Sequence, residues 1–188
     1  MKFIKTNKKK KSFYKLRKKI FLFIINNIDQ TIFEIFGYDF FKIYFNLNYK
    51  NNYILYNKNK IIGLVSYIEL NKIHQLKKEA IFYIIKNPFL LLKIIPRFYI
   101  FFKSKNNPSN YLQLLHLILD KNILKNISKK NRDKSINTLH KKVVMNKFLG
   151  IYASYSRKNY VAESYYKKNK YEIFDENFFY KFVKKKLK

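Results

Sequence analysis

Residues 111–120 read YLQLLHLILD, and apolar side chains stand at nearly every position of the run. A strand with one wet face alternates apolar and polar residues, whereas an unalternated run of this length suits a central strand covered on both faces. The loop signal Asn106–Asn110, containing Pro108, bounds it on the N-terminal side. A strand of this kind needs helices above and below it. The fold class expected is therefore α/β (α+β), a central sheet flanked by helices.

The 188-residue chain is organised around that strand as a single domain, 1–188. Residues 1–30 read as a basic N-terminal arm leading into a helix. Lys8–Lys11 looks like the start of a signal peptide, but Ile20–Ile25 is short for an apolar core and no small-residue cleavage site follows. A membrane-surface role for this arm is the alternative. From Thr31 to Asn46, the spacing of Ile32, Phe33, Ile35, Phe36, Phe40, Phe41 and Tyr44 suits an amphipathic helix, with a break at Gly37. Tyr53–Tyr56 and Ile61–Leu70 read as two strands around the polar turn Asn57–Lys60.

Residues 71–107 predict a helical insertion of two or three short helices, broken before Pro88 and near Pro96. Prolines and cations interrupt it too often for a spanning helix. The insertion covers one end of the sheet, serves as an acceptor-side lid, or lies on an anionic membrane leaflet. After the central strand, 129–145 carries Ile136, Leu139 and Val143 at helical spacing, although its first half, KKNRDK, is polar. FLGIYASYS (148–156) reads as a second buried strand with Tyr152 and Tyr155 on opposite faces. Tyr171–Phe174 and Phe178–Val183 form a terminal hairpin around Asp175–Asn177.

The formal charge of +30 would ordinarily point to nucleic acid or anionic membrane. Its composition argues otherwise. Lys, Asn, Ile, Phe and Tyr supply 120 of the 188 residues, and all five have codons of A and T alone. Only Arg17, Arg97, Arg132 and Arg157 are arginine, whereas selection for phosphate contacts favours Arg for its bidentate geometry. No specific nucleic-acid partner is expected. There is no cysteine, and His74, His116 and His140 show no ligand spacing, so no metal site is expected.

The stretch NYVAESYYKKNKYEIF (159–174) places Asn159, Ala162 and Tyr166 on one helical face, with Val161 and Tyr165 beside them, ahead of a turn at 168–170. This resembles the last helix-to-strand unit of the GNAT (Gcn5-related N-acetyltransferase) family. That family's loose pattern is Asn, two spacers, Ala, an aromatic pair, then Gly-aromatic. Here the glycine position is Lys170. The early helix, the hairpin with IIGLVSYIEL and the central strand also follow the family's order. The family's coenzyme loop, [QR]-x-x-G-x-[GA], is degraded. In the preferred register, Lys125–Ser128 and the following Lys129 and Lys130 stand for it, with Asn126 and Ser128 in the glycine places and Ile127 between them. A second register would use Arg132, Ser135 and Asn137.

The resemblance implies a cytoplasmic acetyltransferase with acetyl-CoA as cosubstrate and a small amine acceptor, such as an amino sugar. In the family, backbone groups of the splayed central strand hold the pantetheine arm and polarise the thioester, a role that falls by position to Leu117, Ile118 and Leu119. Successive N–H groups at 125–130 would cradle the pyrophosphate. Asn159 and Ala162 would face the coenzyme, and Tyr166 would protonate the departing thiolate. The base has no obvious owner, because Gln113 stands where many members carry Glu; Glu69 and His116 are the substitutes considered. Two alternatives remain: a GNAT-fold protein that has lost coenzyme binding and acts as a scaffold, and a basic protein of membrane surfaces or nucleic acid.

Overall fold

The computed structural model describes residues 3–6, 13–27, 32–57, 60–94, 108–120, 128–145, 147–178 and 180–188. Seven strands form one sheet: β1 (Phe3–Lys5), β2 (Asn52–Asn57), β3 (Lys60–Ile68), β4 (Tyr111–Leu119), β5 (Gly150–Ser156), β6 (Glu172–Glu176) and β7 (Tyr180–Lys186). Their spatial order is β1-β2-β3-β4-β5-β7-β6. Every neighbouring pair is antiparallel except β4–β5, which is parallel. A parallel pair needs a crossover, and the helix between these two strands supplies it.

Among the described residues, six helices cover the sheet: α1 (Phe13–Ile25), α2 (Ile32–Asn48), α3 (Leu70–Lys86), α4 (Leu90–Ile94), α5 (Lys129–Val144) and α6 (Tyr160–Lys168). Alternation along the strands sorts them into two layers. Ile54, Leu64 and Ile118 face a core built with Ile20 and Ile24 of α1, Phe40, Phe41 and Phe45 of α2, and Ala80 and Ile84 of α3. Tyr53, Val65, Leu112, Leu114, Ile151 and Ala153 face the other core, with Leu139 and Val144 of α5 and Tyr166 of α6. The central strand is indeed covered on both sides. Among the described residues, no helix is long and apolar enough to cross a membrane.

Several details differ from the sequence reading. The N-terminal arm contributes strand β1, paired Phe3↔Leu55 through Lys5↔Tyr53, at a place where composition suggested only a solvated tail. The insertion opens with one long helix of 17 residues, α3, instead of short pieces, and breaks at Asn87–Pro88 as the proline requires. The region around Pro96 lies outside the described residues. Leu70 starts that helix instead of ending β3, with Glu69 as its N-cap residue. Gly37 does break α2: its φ of 73° and ψ of −173° are non-helical, and glycine alone adopts such a pair readily. The polar first half of α5 is less exposed than its composition suggests, since Asp133 is buried beside Arg132 (3.4 Å) and Lys168 (3.5 Å).

Candidate active site

The sheet opens in its middle. β4 pairs with β5 only through Tyr111–Leu114 against Gly150–Ala153. Beyond that point β5 continues along β7, from Ser154↔Phe182 to Ser156↔Tyr180, while β4 continues along β3. Residues 115–119 of β4 therefore lose their neighbour on one side. A bulge starts the divergence: Ser66 and Tyr67 are consecutive, yet they oppose His116 and Leu114, which leaves Leu115 as the extra residue. Bulges bend a strand and raise its twist, which is what carries β4 away from β5.

Pairing parity tells which backbone groups face the opening. Asp120 donates its N–H to the Ile62 carbonyl at 2.9 Å. In an antiparallel ladder, alternate residues bond to the same neighbour, so Ile118 and His116 also turn their backbone groups toward β3. Leu117 and Leu119 turn theirs the other way, into the gap. Sequence position alone had grouped all three of Leu117, Ile118 and Leu119.

The bulge also fixes side chains. Leu115 and His116 both lie on the α1/α2 face, because the extra residue shifts the alternation by one. The His116 ring packs 5.9 Å from the Phe33 ring and 6.0 Å from the Tyr44 ring, centre to centre. Tyr44 Oη lies 3.4 Å from His116 Nδ1. The Ser66 and Asn48 side chains flank the same hydroxyl, and burial raises its pKa to about 12. Ser66 Oγ donates to Asn52 Oδ1 at 2.6 Å, and Asn52 Nδ2 donates to the Asn48 carbonyl at 3.2 Å. A carbonyl only accepts, so Asn52 presents its oxygen to Ser66 and the Ser66 proton is directed there. Tyr44 Oη and His116 Nδ1 can each donate or accept; where Nδ1–H donates to the phenol, the lone pair sits on Nε2. Burial lowers the His116 pKa to about 4, so the ring is neutral near neutral pH.

The opposite face carries Tyr166. It is buried on α6, stacked on Tyr155 of the diverging part of β5 at 5.2 Å and set edge-on to Tyr171 at 4.9 Å. Desolvation pushes its pKa up, so the phenol keeps its proton. Glu69 is not brought to this place. Ile68 pairs with Gln113, so Glu69 falls level with Leu112 at the N-terminal end of β4, roughly 15 Å along the strand from Leu117 at about 3.3 Å per residue. Its carboxylate lies 3.7 Å from Lys72. Gln113 accepts from Tyr152 Oη at 2.9 Å.

Both crossover helices begin beyond the C-terminal ends of the parallel strands. Ser128 is the N-cap of α5, its Oγ accepting from Asn131 N–H at 3.3 Å. Asn159 is the N-cap of α6, its Oδ1 accepting from Ala162 N–H at 2.9 Å. Each cap satisfies one first-turn donor and leaves the amides of residues 129–130 and 160–161 without an intrahelical acceptor. Lys130 is exposed on the first turn of α5. Lys125, Asn126 and Ile127 lie outside the described residues, as does the Lys129 side chain.

Lys170, which holds the family's glycine position, has a φ of 58°. The helix end around it is a Schellman motif, with Tyr171 N–H bonded to the Tyr166 carbonyl (3.0 Å) and Lys170 N–H to that of Lys167 (3.1 Å). Val161 is largely exposed, so the second apolar strip expected on this helix is not packed there.

No family profile matches the chain, and no curated protein matches it in sequence. Solved structures do match its fold. PH1933 from Pyrococcus horikoshii OT3 is 14% identical, with 98% of this chain and 97% of that one aligned at a TM-score of 0.61. An N-acetyltransferase from Staphylococcus aureus Mu50 is 10% identical, over 98% of this chain and 100% of its own, at 0.59. The N-acetyltransferase PseH of Campylobacter jejuni, solved with acetyl coenzyme A, is 12% identical over 100% and 99% at 0.52. The chain has the GNAT acetyltransferase fold over essentially its whole length.

Proposed function

We propose that this protein is an N-acetyltransferase that moves an acetyl group from acetyl-CoA to the amine of a small molecule, an amino sugar being the acceptor class favoured. The observation that carries the reading is the divergence of β4 from β5 after Leu114, with the Leu117 and Leu119 backbone groups turned into the gap. These groups pair with the amide-bearing pantetheine arm as a neighbouring strand would. One N–H among them donates to the thioester oxygen where negative charge develops. Ile118 holds the strand to β3. At the N-terminus of α5, the amides after Ser128 and the exposed Lys130 receive the pyrophosphate, a role that the resemblance also gives to Lys125, Asn126, Ile127 and Lys129. Asn159 and Ala162 shape the start of α6 beside the same arm.

Acid and base then stand on opposite faces of the opening. His116 Nε2, on the α1/α2 face, relays a proton from the acceptor ammonium to water, since with a pKa of about 4 the ring does not keep it. The freed amine attacks the thioester carbon, a C–N bond forms, and the C–S bond breaks. Tyr166, on the α5/α6 face, gives its proton to the departing thiolate, and the second proton shed by the nitrogen passes through water to the Tyr166 phenolate as the amide forms. The separation of the two groups suits a direct transfer in which acceptor and coenzyme enter from different sides.

Thermal unfolding of the purified chain with and without acetyl-CoA, with ATP as polyanion control, tests the reading. Ligand at 100 times its dissociation constant stabilises by about 2.7 kcal/mol. A shift specific to acetyl-CoA, reduced in Tyr166→Ala and Asn126→Pro, is expected, followed by coenzyme A release with amino-sugar acceptors. No shift, or an equal one with ATP, would leave the scaffold reading, which Asn126 and Ser128 in the glycine places favour.

A further inference from the structure

The second half of α3 is apolar on every side. Ala80–Ile85 reads AIFYII, and Ala80, Tyr83 and Ile84 pack inward against the core of α1 and α2. The outer side carries Ile81, Phe82 and Ile85, the last 70% exposed. Past the Asn87–Pro88 break, Phe89 is 85% exposed and Leu92 74%. A helix apolar all round is one whose outer side meets something other than water.

Charge chooses what that is. Lys78 lies on the same outer stripe, at i relative to Phe82 (i+4) and Ile85 (i+7). The Nζ of exposed Lys86 sits 4.5 Å from the centre of the Phe82 ring. α3 carries Lys72, Lys77, Lys78 and Lys86 against Glu79 and its N-cap Glu69, the latter 3.7 Å from Lys72 and so far from the apolar end. The first half of the outer side is polar, with Asn71, His74 and Gln75 exposed. The result is an apolar tip of Phe, Ile and Leu with lysines around its base.

We propose that the outer face of α3 and α4 is a docking surface for an anionic lipid bilayer, with Phe82, Ile85, Phe89 and Leu92 entering the interface and Lys78 and Lys86 meeting lipid phosphates. Interfacial helices carry this pattern, apolar side chains below the headgroups and lysines snorkelling to them. The surrounding charge of +30 adds long-range attraction to the same partner.

The test is flotation of the full chain with vesicles of phosphatidylglycerol and phosphatidylcholine, against phosphatidylcholine alone. Because so basic a chain binds anionic surfaces anyway, the decisive variant is Ile85→Glu/Phe89→Glu at raised salt. It should lose binding roughly tenfold or more, since each large side chain returned to water weakens burial substantially. Lys78→Glu/Lys86→Glu should lose only the phosphatidylglycerol-dependent part. The protein has no tryptophan, so Phe89→Trp supplies a clean reporter whose emission should move to the blue on vesicles. Three results would each overturn the proposal. The Ile85/Phe89 variant floats as well as the wild type, so charge alone binds. It melts far below the wild type, so the face is covered from within the chain. Or the wild type self-associates through this face and the variant does not.

Discussion

Tyr44 Oη on α2 stands 3.4 Å from His116 Nδ1 on β4, and this pair joins the helical layer to the one strand that is open on its far side. A His116 Nδ1–H donated to this phenol leaves the Nε2 lone pair free to accept. His116→Gln should lower kcat by about 10²–10⁴-fold, the usual worth of a positioned base. The acetyl-CoA-induced melting shift should persist, because in the proposed site the coenzyme is held by backbone groups. Tyr44→Phe should show a smaller kcat loss with KM unchanged. Thiol release under saturating acetyl-CoA measures both, and wild-type turnover in His116→Gln would remove this residue from the mechanism.

Stability should fall as pH drops below neutrality, and two histidines set the window. Burial lowers His116 to about 4 and His140 to about 3, the latter with Lys185 adding repulsion. Each folded value lies below the unfolded one, near 6.5. Between those values the unfolded chain binds protons that the folded chain refuses, so unfolding is favoured progressively from about pH 6.5 down to 3, at about 1.4 kcal/mol per unit for each group. His140 is the cleaner probe, because it is fully buried with Nδ1 2.6 Å from Tyr67 Oη. Denaturant midpoints of His140→Gln should vary less between pH 7 and pH 4 than those of the wild type. An equal dependence in both would place the acid sensitivity elsewhere.

Much of the architecture was legible because its causes are local. The unalternated run at 111–120 required two covered faces, Gly37 and Pro88 broke their helices where expected, and the Asn159–Tyr171 pattern found its helix and turn, with Asn159 proving to be the N-cap. What was not legible depends on pairing. Nothing in LLHLIL marks Leu115 as the bulged residue; its identity follows from the register against Ser66 and Tyr67. The bulge in turn decides that His116 faces Tyr44 and that Leu117 and Leu119, not Ile118, open into the gap. Glu69 read as a base candidate from its chain position, but the same register carries it to the far end of β4. Strand β1 escaped notice because a three-residue edge strand among lysines has no periodicity to read. The Ser128 cap was anticipated only as part of a loop whose remaining residues lie outside the described set.

Lys170 should yield a gain of stability. Its φ of 58° puts a Cβ in the left-handed region, where a non-glycine residue is strained, while the Schellman bonds on either side hold it there. Lys170→Gly removes that strain but adds freedom to the unfolded chain. The two effects offset in part, leaving about 0.5–1 kcal/mol in favour of the variant. Urea denaturation should show a higher midpoint with an unchanged slope. A lower midpoint would mean that the Lys170 side chain contributes more than its backbone costs.

Gly150 makes the opposite case. A Cβ added there would meet the Lys185 carbonyl oxygen at 2.1 Å and the Tyr111 ring at 2.7 Å, and the first of these is backbone that cannot swing aside. The residue pairs with Tyr111 on one side and Lys186 on the other, at the start of the short parallel stretch from which β4 and β5 diverge. Gly150→Ala must therefore push β7 or β4 outward, at a cost of about 3 kcal/mol or more, above the usual range for an added methyl in a packed site. Because the four-residue pairing with β5 sets where the gap begins, the variant should also weaken the acetyl-CoA melting shift beyond what lost stability explains. Gly63→Ala is the control. It meets the Leu119 side chain at 2.8 Å, which can rotate, and should cost less while leaving the β4–β5 pairing in place. Equal losses in the two variants would show that crowding at Gly150 is relieved without moving the strands.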